Sequence, residues 1–330
     1  MKKILFRGDA NPPIGTGDLM SLVNLSYYFE QDGWEAFFLI RGYEAGRTIM
    51  ECRGNVTVVP PECPLQEEQQ AIENLIVQEG IDVLFLEITQ RKLTDYCLPP
   101  GVKKVSVNFD GIIPDDIDIV INWDIEGTIY FDKKRYPKTR FLIGPQYIIL
   151  PPNFNRGRIA ARTYAPRPQN LLIAMGGADE LNFTGKVVNA ILEYKLDMNI
   201  TVITGAGFMF KKELETALSK SEIRPVVKQN VKDMLGEYMN CDVAIGAGGL
   251  TSYELIASGT PAILIATYEH QIPRCKYFNS NNWAKYLGYR TFNAEELIYY
   301  IQHPPEVLKV NIFDTGKIVE AVNSLLRHYS

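Results

Sequence analysis

Short apolar runs alternate with amphipathic stretches along most of the chain. Lys3–Phe6 predicts a strand, followed by a Gly/Pro loop and a helix from about Leu19 to Gln31. Ala36–Ile40 and Val56–Val59 predict two more strands. Glu67–Gln78 has helical spacing, with Ile72, Leu75 and Ile76 on one face. Val83–Leu86, Lys104–Val107 and Ile117–Asn122 predict further strands. Strands alternating with helices in this way indicate an α/β class, a parallel sheet covered by helices.

The period breaks in the Pro- and Arg-rich stretch from Leu142 to Asn170, where a linker is expected. The alternation then restarts. Strands are predicted at Leu171–Ala174, Ile200–Ile203, Arg224–Val227, Val243–Ile245 and Ala262–Ile265. Helices are predicted at Asn182–Tyr194, Lys211–Ser219, Lys232–Met239 and Thr251–Ser258, with further helical stretches near Asn282–Leu287 and Gly316–Arg327. The expected organisation is a Rossmann-like domain over 1–150, a linker over 151–168 and a second Rossmann-like domain over 169–330. The last helix has the option of packing back on the first domain. In doubly wound sheets ligands sit at the carboxyl ends of the strands, so a cleft between two facing domains is the expected site.

Composition narrows the class. With 46% hydrophobic residues, the chain is not intrinsically disordered. Thirty-four Lys and Arg against 39 Asp and Glu leave a net charge of −5, which argues against a protein that coats nucleic acid. The 18 Tyr and 15 Phe are read as packing residues rather than as carbohydrate-stacking platforms. Five scattered cysteines without a CxxC pair are expected to be reduced thiols, in a cytoplasmic protein. Three histidines cannot assemble a His/Cys zinc cluster, and no metal site is expected. Asp115, Asp116 and Asp118 form an acidic turn, read as solvated. The start MKKILFRGDA reads as a strand rather than a signal peptide. No apolar run approaches the roughly 18 residues of a transmembrane helix.

Four loops carry candidate chemistry. Arg7 through Asp18 contains Gly15 and Gly17, which allow close backbone approach before a helix N-terminus. Met20 stands where a dinucleotide fingerprint would have its third glycine, so the alternative is a plain turn. Gly176 and Gly177 follow the first strand of the second half and offer backbone to a ligand, or merely a tight turn. Gly248, Gly249, Leu250 and Thr251 end a strand and open a helix, giving backbone N–H donors and a hydroxyl suited to a diphosphate. Glu254 is placed in the first turn of that helix. There it either accepts from ribose hydroxyls or complements the helix dipole. No Lys follows these glycines, which excludes a P-loop. The fourth loop, Tyr268-Glu269-His270-Gln271, projects polar groups from the end of the next strand.

Together these loops resemble the nucleotide-sugar enzymes of the PseG/SpsG group, which includes the UDP-sugar hydrolase of pseudaminic acid biosynthesis. They are also similar to the GT-B glycosyltransferases of the MurG type. FRGDANPPIGTGDL, LIGPQYIILPPNF and IAMGGADELNFT carry the resemblance, which covers most of the chain. It implies a GT-B fold, two doubly wound domains facing across a cleft. It implies that Gly248–Thr251 hold the nucleotide phosphates and Glu254 the ribose, while backbone at Asn230 and Val231 reads the base, uracil by preference. Gln271, His270 and the neighbouring Glu269 would meet the donor sugar, with the Gly15–Gly17 loop opposite the sugar–diphosphate bond.

Two positions depart from the family. The residue after the second glycine of the first loop is His in both groups and is Asp18 here. An Asp-His-Tyr-like run of the hydrolase group is replaced by Glu87-Ile88-Thr89. A carboxylate can still take a proton from an incoming hydroxyl, so Asp18 is the expected base, with Glu87 or Asp110 as substitutes. The leading expectation is an inverting, metal-independent glycosyltransferase of surface-glycan biosynthesis. It uses a nucleotide sugar, UDP-linked or alternatively CMP-linked, and no cofactor. The acceptor would be a glycan, a lipid-linked sugar or a protein. The alternatives are a nucleotide-sugar hydrolase in which Asp18 activates water, and a non-catalytic nucleotide-sugar binder.

Overall fold

The computed structural model of the chain describes residues 1–10, 16–154, 167–177, 179–205, 207–219, 224–306, 310 and 312–327. The chain divides into two units, Met1–Pro152 joined by Ile312–Ser330, and Asn153–Asn311. Of the 151–168 window expected to be the linker, 155–166 lies outside the described residues.

In the first unit the elements run β1 (Lys2–Arg7), α1 (Gly17–Gln31), β2 (Trp34–Arg41), α2 (Glu44–Met50), β3 (Val56–Val59), α3 (Leu65–Glu79), β4 (Val83–Glu87), β5 (Lys103–Val107), β6 (Ile119–Asn122) and β7 (Arg140–Ile143). All seven strands are parallel, in the order β3-β2-β1-β4-β5-β6-β7. A parallel sheet buried on both faces needs near-continuous apolar strands, and Ile4–Phe6 and Val83–Leu86 supply them in the centre. Phe6 lies among the rings of Phe29, Phe38 and Phe85, at centroid distances of 5.9, 5.4 and 5.4 Å. Truncating such a side chain costs about 3–5 kcal/mol. The C-terminal helix Gly316–Leu326 belongs to this core through Ile318, Val319, Ala321 and Val322. Its Asn323 accepts from Lys2 at 2.6 Å and donates to Asp32 at 2.8 Å.

The second unit contains β8 (Asn170–Ala174), α4 (Phe183–Glu193), β9 (Asn199–Thr204), α5 (Lys211–Ser219), β10 (Val226–Gln229), α6 (Met234–Met239), β11 (Val243–Ala247), α7 (Leu250–Ala257), β12 (Ala262–Ala266), α8 (Ile272–Ser280), β13 (Lys285–Tyr289) and α9 (Ala294–Gln302). Its six strands are parallel in the order β10-β9-β8-β11-β12-β13.

Each sheet reverses its winding once, between β1 and β4 in the first unit and between β8 and β11 in the second. Loops leaving the carboxyl ends of strands beside such a reversal diverge to opposite faces and leave a crevice. The candidate loops after β1, β4, β8 and β11 all leave from these four strands.

Several expected elements are corrected. Asn282–Leu287 is not helical: Asn282 takes a left-handed φ of +55°, and Lys285–Tyr289 forms the edge strand β13 on β12, with a bulge between Leu264 and Ile265. The helices of that region are α8 and α9, neither of which was expected. The aperiodic stretch from Leu142 begins inside β7. Among the described residues no helix is long and apolar enough to cross a membrane.

Candidate functional site

On the first unit, α1 begins at Gly17, so Asp18 sits in its first turn, where the helix dipole favours a carboxylate. The Thr89 hydroxyl, from the segment after β4, donates to Asp18 Oδ2 at 2.8 Å. Burial raises the pKa of Asp18, the Thr89 bond draws it back, and the charge of Asp9 raises it again. Glu87 ends β4 with 4% of its surface exposed, and its Oε2 is buried without a hydrogen-bond partner. Burial, then the Asp18 charge, pushes Glu87 well above the usual carboxylate range. Burial thus shifts both carboxyls upward, and Glu87 is the one held more strongly in its neutral form. Asp110 stands on an exposed turn after β5, where its Oδ1 accepts from the Ile112 N–H at 2.9 Å. Gly17 is exposed, with open space where a Cβ would be, and Gly15 lies outside the described residues.

The strand ends beside Asp18 are held by a charge cluster that no sequence motif announced. Glu68 of α3 is fully buried and accepts from Arg7 Nε at 2.7 Å, Arg41 Nη2 at 2.7 Å, Tyr96 Oη at 2.6 Å and Arg91 Nη1 at 3.3 Å. Burial alone would raise its pKa, but Arg7 and the donors around it lower it to about 2. Asp9 pairs with both terminal nitrogens of Arg7 at 2.8 Å and accepts the Arg41 backbone N–H at 2.8 Å. The carboxyl ends of β1 and β2 are thus tied together, along with the start of the loop that leads to Asp18. In the acidic turn, Asp116 pairs with Lys104 at 2.6 Å and Asp118 with Lys103 at 3.1 Å.

On the second unit, the loop after β11 is closely packed against α8. A Cβ on Gly248 would stand 2.5 Å from Cys275 Sγ and 2.9 Å from Gln271 Cβ, so α8 packs where only glycine fits. Gly249 caps α7 without a side-chain acceptor. The backbone N–H groups at the start of α7, on Leu250 and Thr251, have no intrahelical acceptor and are available to an anion. Arg274, buried on α8, donates from Nη1 to the Gly248 carbonyl at 2.9 Å and stacks over Tyr253 at 5.0 Å. It supports the loop from behind and was not singled out from the sequence.

Two expectations change here. Glu254 is the fifth residue of α7, not a first-turn residue, because the helix begins at Leu250. Its carboxylate turns toward α6, and its Oε2 accepts the Tyr238 hydroxyl at 2.8 Å. Burial raises the pKa of Glu254, and the Tyr238 bond opposes that. The Thr251 hydroxyl also bonds to the Tyr238 phenol, rather than standing free beside the Thr251 backbone N–H at the helix start.

The other candidate loops serve in different ways. Gly176 has φ +96°, and both it and Gly177 have open space where a Cβ would stand, while Gly205 of the neighbouring strand end packs against the Gly177 backbone. Asp179 closes this loop by accepting the Phe183 and Thr184 N–H groups at 2.8 and 2.7 Å. Asn230 takes φ +54° at the end of β10, with Val231 following half-buried. Gln271 is buried, and its Oε1 accepts from the Thr267 N–H at 2.9 Å and the Thr267 hydroxyl at 3.2 Å. Only its amide nitrogen, directed toward Gly249, is open to a ligand. Glu269 and His270 are exposed, and the His270 ring stacks on Tyr268 at 5.9 Å. The Tyr268 hydroxyl donates to Glu180, from the loop after β8, at 2.9 Å.

Comparison with known proteins gives this arrangement a context. Residues 170–306, within the second unit, match the glycosyltransferase family 28 C-terminal domain. The chain is 30% identical over 189 residues to the spore coat polysaccharide biosynthesis protein SpsG of Bacillus subtilis, covering 56% of this chain and 54% of that protein. It is 25% identical over 296 residues to an uncharacterized protein of Methanocaldococcus jannaschii, covering 86% of this chain and 56% of that protein. The chain therefore spans little more than half the length of these curated relatives. In structure it is similar to MurG of Acinetobacter baumannii, with a TM-score of 0.62 at 12% identity over 98% of this chain and all of that one. The fold is GT-B, and the chain is related to SpsG and the MurG-type glycosyltransferases.

Proposed function

We propose that the chain is an inverting glycosyltransferase that takes its sugar from a UDP-linked donor and acts in polysaccharide biosynthesis. The observation that carries this reading is the loop after β11, where an obligatory glycine and an open helix start lie beside the winding reversal of the second sheet. It lies inside the region that matches a glycosyltransferase domain. The diphosphate is assigned to the backbone N–H groups of Gly249, Leu250 and Thr251, the ribose to Glu254, and the base to the backbone at Asn230 and Val231. The donor sugar is assigned to the Gln271 amide and the Tyr268–His270 face, with Gly176 and Gly177 leaving room for backbone approach.

The chemical step is assigned to Asp18. An acceptor hydroxyl gives its proton to the Asp18 carboxylate as its oxygen bonds to C1 of the sugar. The bond from C1 to the diphosphate oxygen breaks, and UDP leaves with the electron pair. Partial burial raises the Asp18 pKa and makes it a stronger base than a solvated carboxylate. The diphosphate charge is met by helix N–H groups, so the reading needs no metal ion.

The test is UDP release from UDP-sugars with and without an acceptor panel. Acceptor-dependent release, reduced more than about a hundredfold in Asp18→Asn, is expected for a transferase whose base is Asp18. Equal release without acceptor makes the protein a hydrolase. UDP binding without release in any mixture makes it a silent binder.

A further inference from the structure

Glu254 does not stand alone under the helix start of α7. Tyr238, on α6, is fully buried and sits edge-on to Phe154 at 6.2 Å. Its phenol reaches Glu254 Oε2 at 2.8 Å, and the Thr251 hydroxyl bonds to the same phenol. The Tyr238 backbone is fixed in turn, because its carbonyl accepts from Thr260 Oγ1 at 3.1 Å and from Cys241 Sγ at 3.3 Å. A chain of hydroxyls therefore runs from the first turn of α7 to the carboxylate one turn later. It occupies one lone pair of Oε2 and leaves Oε1 uncommitted to Tyr238.

We infer that Tyr238 is a positioning residue that holds Glu254 ready to accept from a ribose hydroxyl, so that the site selects ribonucleotides over deoxyribonucleotides. This rests on the nucleotide reading of the α7 loop. A glutamate has three side-chain torsions, and a carboxylate free to rotate loses much of a directional hydrogen bond to conformational entropy. A buried phenol donating at 2.8 Å removes that freedom before the ligand arrives. Tyr238 is also the titratable group of α6 that faces Glu254; Cys241, just beyond that helix, lies beside the phenol rather than the carboxylate. Donation from Tyr238 stabilises the ionised acid, so losing it leaves the burial effect unopposed and raises the pKa of Glu254.

The experiment is calorimetric titration of the full chain with UDP and with 2′-deoxy-UDP and 3′-deoxy-UDP, from pH 5 to pH 8. Wild type is expected to bind UDP roughly tenfold or more tighter than at least one deoxy analogue, the scale of a hydrogen bond to a charged group. Tyr238→Phe is expected to lose most of that preference while binding the discriminated analogue as wild type does. Its acid limb of UDP binding should move to higher pH. Glu254→Gln, which leaves Tyr238 in place, should fall to the same floor and lose the acid limb; it also serves if the phenylalanine variant does not fold. Equal weakening of UDP and both analogues in Tyr238→Phe, or an unmoved acid limb, overturns the positioning role. UDP binding by wild type without any discrimination overturns the ribose selection, and no UDP binding at all overturns the nucleotide reading beneath it.

Discussion

Replacing Glu68 with Gln keeps its shape and removes the one negative charge shared by Arg7, Arg41 and Arg91. Asp9 remains as a partner for Arg7, but the Arg41 guanidinium keeps only a 3.9 Å approach to Asp9 and a hydrogen bond to the neutral Gln90 at 3.2 Å. Breaking a buried ion pair from one side costs about 3–5 kcal/mol. The titration of Glu68 leads to a similar size. Its pKa falls from an ordinary 4.5 to about 2 on folding, and at 1.36 kcal/mol per unit that is on the order of 3 kcal/mol of stability. The sign follows from the depressed value. The contribution is fully present above the unfolded pKa near 4.5 and is lost as pH falls toward 2. Urea unfolding followed by fluorescence can assign the loss, since Trp34 and Trp123 lie in the first unit and Trp283 in the second. Glu68→Gln should shift the first unit's transition by about 3 kcal/mol at pH 7, with the gap from wild type narrowing between pH 5 and pH 3. A shift below about 1 kcal/mol, or a gap constant across that range, would refute the assignment of Glu68 as a charged hub.

Two further expectations concern the site itself. Thr89→Val removes the hydroxyl that holds the Asp18 pKa down, so the acid limb of turnover should move to higher pH, because the base must be ionised to act; a limb that stays in place moves the base elsewhere. Arg274→Met keeps the bulk over Tyr253 but loses the donor to the Gly248 carbonyl. It should weaken UDP about tenfold while changing uridine little, since the loop it supports is assigned to the diphosphate.

Much of the fold is legible in the sequence, and what is not has physical causes. The glycine loops stand out because glycine between an apolar strand and a helix marks a tight turn or a close backbone approach. Which loops share a crevice is not legible, since the winding reversals at β1/β4 and β8/β11 depend on strand order. Trp283, Tyr286 and Leu287 carry helical spacing, but over too short a run to outweigh pairing of Lys285–Tyr289 with β12. Leu297, Ile298 and Ile301 of α9 do carry a usable helical signal, one that the strand–helix alternation did not bring out. Glu68 stands four residues before Ile72, on the face that α3 buries, and an acid there is a sign of a buried counter-charge. Tyr238 lies three residues after Leu235 on the buried face of α6, where a phenol needs a partner. In both cases the sequence marks the polar residue; only the fold supplies its partner.

Whether the loop after β11 holds a uridine diphosphate is tested most directly by calorimetric titration of wild type and Gly248→Ala with UDP and CMP. The added methyl would stand 2.5 Å from Cys275 Sγ and displace the loop from α8. Saturable 1:1 binding of UDP, tighter than CMP and weakened at least tenfold by Gly248→Ala in a protein that remains folded, is the predicted result. UDP binding that the substitution leaves unchanged, or no UDP binding by wild type, would contradict it.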